Sequence, residues 1–380
     1  MATYAGYGAY RSNLQSRALR RIDWWLIIAA LVLLGFGLLA LYSYGLHPGA
    51  SNFFRKQAMN IVVGIVPAAL FATIQPKVWM RSATFLYVIN LIALIAIFKV
   101  GTSINGSARW INLGPIQFQP SEMAKLVSIL TVASFYAMRQ DRIKDLSTFL
   151  LGLLHIAAPM VLIVKQPHFG GALVLGVIWF SISLVANVPV RYLAVVAAIA
   201  AIFVAVIFTH PELMPGYHEK RLSDWGSASA TKSSQSGAGY QTDQARMAFG
   251  VGGVVGTGIG KGQQGENIPE QETDFVFTIV GEELGLVGCS LVLAAFAFLF
   301  YRIWLVMYRA TDPYYRMLAA GVLGMLAFHT FVNLFMVTQM LPVIGLWLPF
   351  FSYGGTAMWL CMAAVGLVVN VRSREKPILF

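Results

Sequence analysis

Charge is what this sequence has least of. Only 11% of its 380 residues are Asp, Glu, Lys or Arg, against roughly a quarter in an ordinary soluble domain. Hydrophobic residues make up 58%, with a mean hydropathy of +0.69. A soluble globule is excluded, because stretches without an ionisable residue recur at the length needed to cross about 30 Å of hydrocarbon. Cysteine is nearly as scarce. Cys289 and Cys361 both fall inside apolar runs, where a thiol behaves as a small hydrophobe, so there is neither a disulfide framework nor a metal-ligand spacing. Acidic residues number 16 against 27 basic ones, a net charge of +11. The basic residues are scattered over short loops without a dense patch or a stacking pattern. That excludes nucleic acid as the partner and fits the positive-inside rule instead.

What is there is a series of apolar runs, at about 24–44, 58–74, 82–99, 120–138, 147–164, 170–187, 190–209, 275–301, 315–338 and 343–371. They predict an all-α polytopic membrane protein of about ten transmembrane helices, forming a single integral membrane domain over 1–380. The first run is long for a signal peptide and has no small-residue cleavage site, so an uncleaved anchor is expected. Loops on the side of the termini carry 16 Lys and Arg, and the short loops opposite carry about five. The bias places the tails 1–21 and 372–380 in the cytoplasm and the hydrophilic segment 210–274 outside, as one large extracytoplasmic loop.

Polar residues concentrate on the outer side. The connection from Asn105 to Lys125 holds Gly114, Pro115 and Pro120, which break helix, and Trp110 and Phe118, which suit the membrane interface. It is expected to be an ordered loop returning into the bilayer. Glu122 and Lys125 then stand at i,i+3 in an otherwise apolar helix, close enough to pair. Ionisable groups at membrane depth mark a cavity or a function, unless the pair only anchors the helix end at the headgroups. Lys165, Gln166, Pro167 and His168 form a second outer junction. Within 210–274 a Ser-rich stretch has the composition of a flexible surface loop, and a Gly-rich stretch follows. Its GKGQQG fits G-x-G-x-x-G formally, but no strand precedes it and no helix opens on it, and Gly262 stands where a P-loop needs Ser or Thr. Such a loop either turns tightly or cradles an anion, with Arg246 and Lys261 near for a phosphate. The segment ends PEQETDFVF, leaving Asp274 as a carboxylate where water meets an apolar helix. In the last outer loop, SYGG at Ser352–Gly355 breaks an apolar stretch; its freed backbone groups must be met by protein or a wet cavity.

Several of these motifs, taken in series, carry a resemblance. RWINLG at Arg109–Gly114, FQPSEMAK at Phe118–Lys125, DQARMAFG at Asp243–Gly250, PEQETDFVF at Pro269–Phe277, GEELGLVG at Gly281–Gly288 and LPFFSYGG at Leu348–Gly355 occur in the order of the SEDS family of peptidoglycan glycosyltransferases. The chain resembles that family from the third span onward, and SYGGTA and the short termini are nearer to RodA-type than to FtsW-type members. One departure is QPHFG, with His168 and Phe169 where the family commonly has Asp and Leu.

The resemblance implies a SEDS-type fold in the cytoplasmic membrane and polymerisation of lipid II on its outer face, for elongation and rod shape. It implies that Asp274 is the catalytic carboxylate, a general base for the acceptor hydroxyl. Arg109, Arg246 and Lys261 are candidates for steadying the leaving pyrophosphate, and Trp110, Glu122, Lys125, Ser352 and Tyr353 for lining the substrate site. No metal ligand is assigned and no organic cofactor is expected, though a divalent cation, Mg or Mn, would suit the pyrophosphate. The implied partners are lipid II, membrane lipids and a class B penicillin-binding protein transpeptidase. A flippase for a lipid-linked sugar and a division-specific FtsW-type polymerase are the alternatives. Transporters typically show inverted repeats and broken midplane helices, and no repeat is visible here.

Overall fold

The structure, a computed structural model, describes residues 22–46, 52–104, 107–113, 116–210, 212, 238–263 and 268–374. The basic N-terminal tail, the Ser-rich stretch and the residues from 375 onward lie outside the described residues. Helices follow the apolar runs: α1 Trp24–Tyr44, α2 Phe53–Thr73, α3 Pro76–Arg81, α4 Ala83–Val100, α5 Pro120–Ala137, α6 Leu146–Lys165, α7 Phe169–Val185, α8 Val190–Thr209, α9 Ala238–Gly252, α10 Phe277–Arg309, α11 Pro313–Val337 and α12 Gly355–Arg374. Of these, α1, α2, α4, α6, α8, α10, α11 and α12 are long and apolar enough to cross a membrane. The apolar α7 is shorter at 17 residues, and α5 has 18 residues with its polar side chains turned inward.

Polar residues punctuate the helix ends where the apolar pattern stops. Asp23 caps α1 by accepting from the Leu26 N–H at 3.1 Å, and Arg302 of α10 grips both its oxygens at 2.8 and 2.7 Å. Asp312 caps α11, whose first residue is proline, the residue suited to a position with no intrahelical N–H bond. The bundle centres on α5, α11 and α12, each buried over more than half of its residues, whereas α8 buries only Leu193 and Ile207.

Three segments differ from the apolar pattern. The connection after α4 is a three-stranded antiparallel meander, β1 Thr102–Ile104, β2 Ser107–Leu113 and β3 Ile116–Phe118, pairing Trp110 with Thr102 and Ile111 with Phe118. β1 and β3, at three residues each, are too short to show a period-2 signal in sequence, and β2, SARWINL, does not alternate strictly. The hydrophilic segment is not all loop, since α9 lies within it. The last apolar run does not begin its helix at 343 either. Residues 339–354 form a non-helical strap, turned by positive φ at Gln339, Gly345 and Phe350, and α12 starts only at Gly355. Apolar composition alone could not separate strap from helix.

α10 is broken near its start by Gly285, at φ 62° and ψ −160°, a region open essentially to glycine alone. The Gly-rich loop docks into that break. Thr257 and Gly258 donate to the carbonyls of Glu282 and Glu283, both at 3.0 Å, while Leu286 and Val287 donate to Gly253 and Val254 at 2.9 and 3.1 Å. A Cβ on Gly285 would stand 2.5 Å from the Gly256 nitrogen. Gly285→Ala is therefore expected to cost on the order of 1–3 kcal/mol. Thermal unfolding of the detergent-solubilised protein should show it, with Gly250→Ala, which meets open space, as the neutral control.

Candidate active site

The residues before α10 form a tight turn. Thr273 and Asp274 both donate to the Glu270 carbonyl, at 3.1 and 3.0 Å, with Glu270 itself at φ 56°. This places Asp274, half-buried, just ahead of the first turn of α10. The turn is held from outside by its carbonyls. That of Glu272 accepts from the Tyr353 N–H at 2.8 Å, that of Thr273 from the Ser352 hydroxyl at 2.5 Å, and that of Asp274 from the Asn333 amide at 2.8 Å. Two of these donors belong to the strap and the third to α11.

The strap is fixed in turn. The Ser352 hydroxyl accepts from the Leu348 N–H at 2.7 Å, and Gln57 of α2 donates to the Ser352 carbonyl at 2.9 Å while accepting from the Gly354 N–H at 3.2 Å. The Tyr353 ring packs on Phe53 at 4.7 Å, and Phe53 on Tyr44 at 5.8 Å. Tyr44 also hydrogen-bonds the Glu272 carboxyl. Burial raises the Glu272 pKa above the ordinary carboxylate range, its own backbone hydrogen bond opposes that, the Glu270 charge adds to it and the Tyr44 bond lowers it.

Behind the strap lies a buried polar cluster. Lys125 and Glu122 are both fully buried and paired at 2.6 Å. The Lys125 Nζ is 3.1 Å from His329 Nε2, and the Trp347 indole donates to the second Glu122 oxygen at 3.0 Å. The Trp347 ring stacks on His329 at 3.9 Å and stands 5.1 Å from the ammonium. Two elements far apart in sequence thus complete what Glu122 and Lys125 begin. His168 faces Ser121 across 3.2 Å at the start of α5, and Arg109 donates to the carbonyls of Gln166, at 3.0 Å, and Pro167. The RWINLG and QPHFG motifs are thereby one unit.

The predicted site residues therefore divide. Ser352 and Tyr353 meet the Asp274 turn, but Ser352 is buried and its hydroxyl is occupied by main chain. Glu122 and Lys125 meet each other inside the bundle. Trp110 is half-buried in β2, and Arg246 on α9 and Lys261 on the Gly-rich loop are exposed. Asp243 and Gln241 anchor α9 to this end of the bundle, through Gln339 and the Pro269 carbonyl, both at 3.2 Å. Amides of the Gly-rich loop serve the chain's own anions. Gly260 N–H donates to Ser43 Oγ at 2.8 Å and Glu283 at 3.2 Å, and Gln263 N–H to Glu282 at 2.6 Å. Of the two readings the sequence allowed for this loop, the structure gives close packing onto α10.

Sequence reasoning passed over Asn333, His329, Trp347, Gln57, Glu282 and Glu283. For Asn333 and His329 a signal was present: polar residues one turn apart inside an apolar span. Among the described residues, no group of three or more His, Cys, Asp or Glu is placed to hold a metal ion.

A multi-pass helical membrane protein is defined by these features, with a half-buried carboxylate on a turn braced by the strap and by α11. Its relatives say which one. The family model for FtsW, RodA and SpoVE, described as cell cycle protein, matches residues 23–377, and the chain belongs to that family. It is 31% identical over 379 residues to a probable peptidoglycan glycosyltransferase FtsW of Geobacter sulfurreducens, covering 96% of this chain and 98% of the relative. To the peptidoglycan glycosyltransferase MrdB of Escherichia coli it is 33% identical over 327 residues, covering 86% and 87%. Among solved structures, a chain from a peptidoglycan synthase complex that coordinates polymerization and crosslinking superposes with a TM-score of 0.78 at 28% identity, covering 92% of this chain and 97% of that one. The rod shape determining protein RodA of Thermus thermophilus gives 0.69 at 28% identity, covering 93% and 97%.

Two measurements test the site's electrostatics. Lys125→Met leaves Glu122 buried without its cation and is expected to cost roughly 3–5 kcal/mol, most of it recovered in the Glu122→Gln/Lys125→Met double variant; thermal unfolding of the three proteins checks this. For Glu272 the sign follows from its raised pKa, because the folded state keeps the proton to higher pH than the unfolded state does. Glu272→Gln should match the wild type in acid. It should become the more stable of the two as pH rises past the ordinary carboxylate pKa towards the raised one, read from melting temperature against pH.

Proposed function

We infer that this chain polymerises lipid II, with Asp274 as the general base. The chain is a peptidoglycan glycosyltransferase. In the reaction, Asp274 takes the proton of the acceptor sugar's 4-hydroxyl as that oxygen attacks the anomeric carbon of the donor. One glycosidic C–O bond forms, the bond from that carbon to the pyrophosphate oxygen breaks, and undecaprenyl pyrophosphate leaves with the electron pair. The observation that carries this is the turn itself. Three successive carbonyls, of Glu272, Thr273 and Asp274, are held by Tyr353, Ser352 and Asn333, so a partly exposed carboxylate rides on a fixed main chain. Such preorganisation is what a positioned base requires.

Arg246 and Lys261, both exposed, are the cations for the developing pyrophosphate charge. Arg109 orders the Gln166–Pro167 junction with Nε and one Nη, and its charge stands on the substrate side as a further cation for the pyrophosphate. Trp110 and Tyr353 present aromatic surface for sugar. Glu122 and Lys125 support the strap from within, their charges already matched to each other. A divalent cation, Mg or Mn, would be held chiefly by the substrate pyrophosphate and water, the usual manner of Mg at a phosphate, and would supply charge neutralisation there.

The positive-inside bias puts both termini in the cytoplasm and this site on the outer face of the cytoplasmic membrane. A class B penicillin-binding protein is the partner, supported by the similarity to a chain of a peptidoglycan synthase complex. The elongation role rests on the RodA-like SYGGTA sequence.

In an assay with purified protein and lipid II, the wild type should build glycan strands visible on a gel. Asp274→Asn should lose on the order of 100- to 10,000-fold in rate while keeping its melting temperature. Robust polymerisation by folded Asp274→Asn refutes the assignment of the base, and translocation of lipid II across liposomes without polymer refutes the polymerase reading.

A further inference from the structure

We propose that Asn333 is the positioning residue for the Asp274 carboxylate, holding the catalytic turn and the strap together through one side-chain amide; this rests on Asp274 being the base. Asn333 is completely buried in α11. Its Nδ2 donates to two main-chain carbonyls at once, that of Asp274 at 2.8 Å and that of Leu346 at 2.7 Å. Its Oδ1 is buried with no partner among the described residues.

That asymmetry fixes the chemistry the position needs. Two carbonyl oxygens converge here, and only a group with two N–H donors can lie between them. Turning the amide over would set its oxygen against both, and an aspartate of the same shape would bring only acceptors. The orphaned Oδ1 shows the donor side being met at the expense of the acceptor side, a burden an apolar residue would not carry. The other two braces of the turn, Ser352 and Tyr353, act on the carbonyls of Thr273 and Glu272. Asn333 alone of the three binds the residue that bears the carboxylate.

Leu346 gives the tether its second anchor. Its neighbour Trp347 donates to Glu122 at 3.0 Å and stacks on His329, which lies one helical turn before Asn333 on α11. The buried cluster therefore fixes the strap at Trp347, the strap and Asn333 share Leu346, and Asn333 fixes Asp274. Losing the amide leaves the Asp274 carbonyl unheld, with only the Asp274 N–H still bonded to Glu270, and does not touch the Glu122–Lys125 pair.

The test compares Asn333→Leu, Asn333→Asp and Asn333→Gln with the wild type and Asp274→Asn, measuring lipid II polymerisation and melting temperature for each. Asn333→Leu and Asn333→Asp, which lack the paired donors, should drop kcat on the order of 100-fold, the loss expected when a reacting group is misplaced by about an ångström. KM should stay within about threefold, because substrate contacts are untouched. Asn333→Gln keeps the amide on a longer stem and should recover part of the rate. Should Asn333→Leu not fold, Asn333→Asp, matched in volume, carries the same expectation. Wild-type kcat in a folded Asn333→Asp beside an inactive Asp274→Asn overturns the positioning role and leaves the base standing. Activity that falls only with the folded fraction, or loss of fold in all three variants, makes Asn333 a structural residue and also overturns it. Full activity in Asp274→Asn removes the base itself, and the inference with it.

Discussion

Main chain that is neither helix nor sheet cannot sit at membrane depth unless its N–H and C=O groups are met by protein or water. The far end of this molecule is an answer to that constraint. The strap 339–354 and the turn 268–276 are both non-helical chain, and the strap meets the turn's carbonyls, Tyr353 N–H donating to Glu272 and Ser352 Oγ to Thr273, while Leu348 N–H closes the strap on Ser352 Oγ. Their mutual satisfaction leaves Asp274, half-buried, on a backbone with little freedom.

Electrostatics imposes the second condition. A Lys and a Glu without exposure inside an apolar bundle are tolerable only as a pair with their remaining hydrogen-bonding capacity met, and here His329 and Trp347 meet it. Replacing such a pair with apolar groups often costs little, whereas losing one partner costs several kcal/mol. The pair is thus better understood through what it organises than through what it stabilises. It specifies where the strap meets α5 and α11, and the strap specifies the turn.

Much of this was legible from residues alone, and the illegible part has a physical reason. Apolar run length locates the helices, since hydrocarbon thickness sets it. The Glu122–Lys125 spacing gives the ion pair, a local i,i+3 fact, and Asp274 is conspicuous as the last charge before an apolar run. His329 and Trp347 lie 204 and 225 residues from the groups they touch, so no spacing rule reaches them. The break at SYGG was legible, but the apolar run puts the start of the last helix too early, at 343, because apolar composition does not distinguish a spanning helix from protein-buried irregular chain. The Gly-rich loop could be read from sequence either as a tight turn or as an anion cradle, because donor-rich turns accept any carboxylate, and the fold shows its amides meeting Glu282 and Glu283.

α5 has a bearing on how the protein is made. Among the described helices of 18 residues or more, only α5 is not apolar enough to count as a span by itself, yet Glu122, Lys125, Ser128, Thr131 and Ser134 are all buried within the bundle. Charged residues oppose partitioning of an isolated helix into lipid, and the groups that quiet Glu122 and Lys125 sit on α11 and the strap, synthesised some two hundred residues later. The side chains that complete the burial of these two charges are thus made only with the C-terminal third of the chain, so the polar face of α5 has its full set of partners last of all.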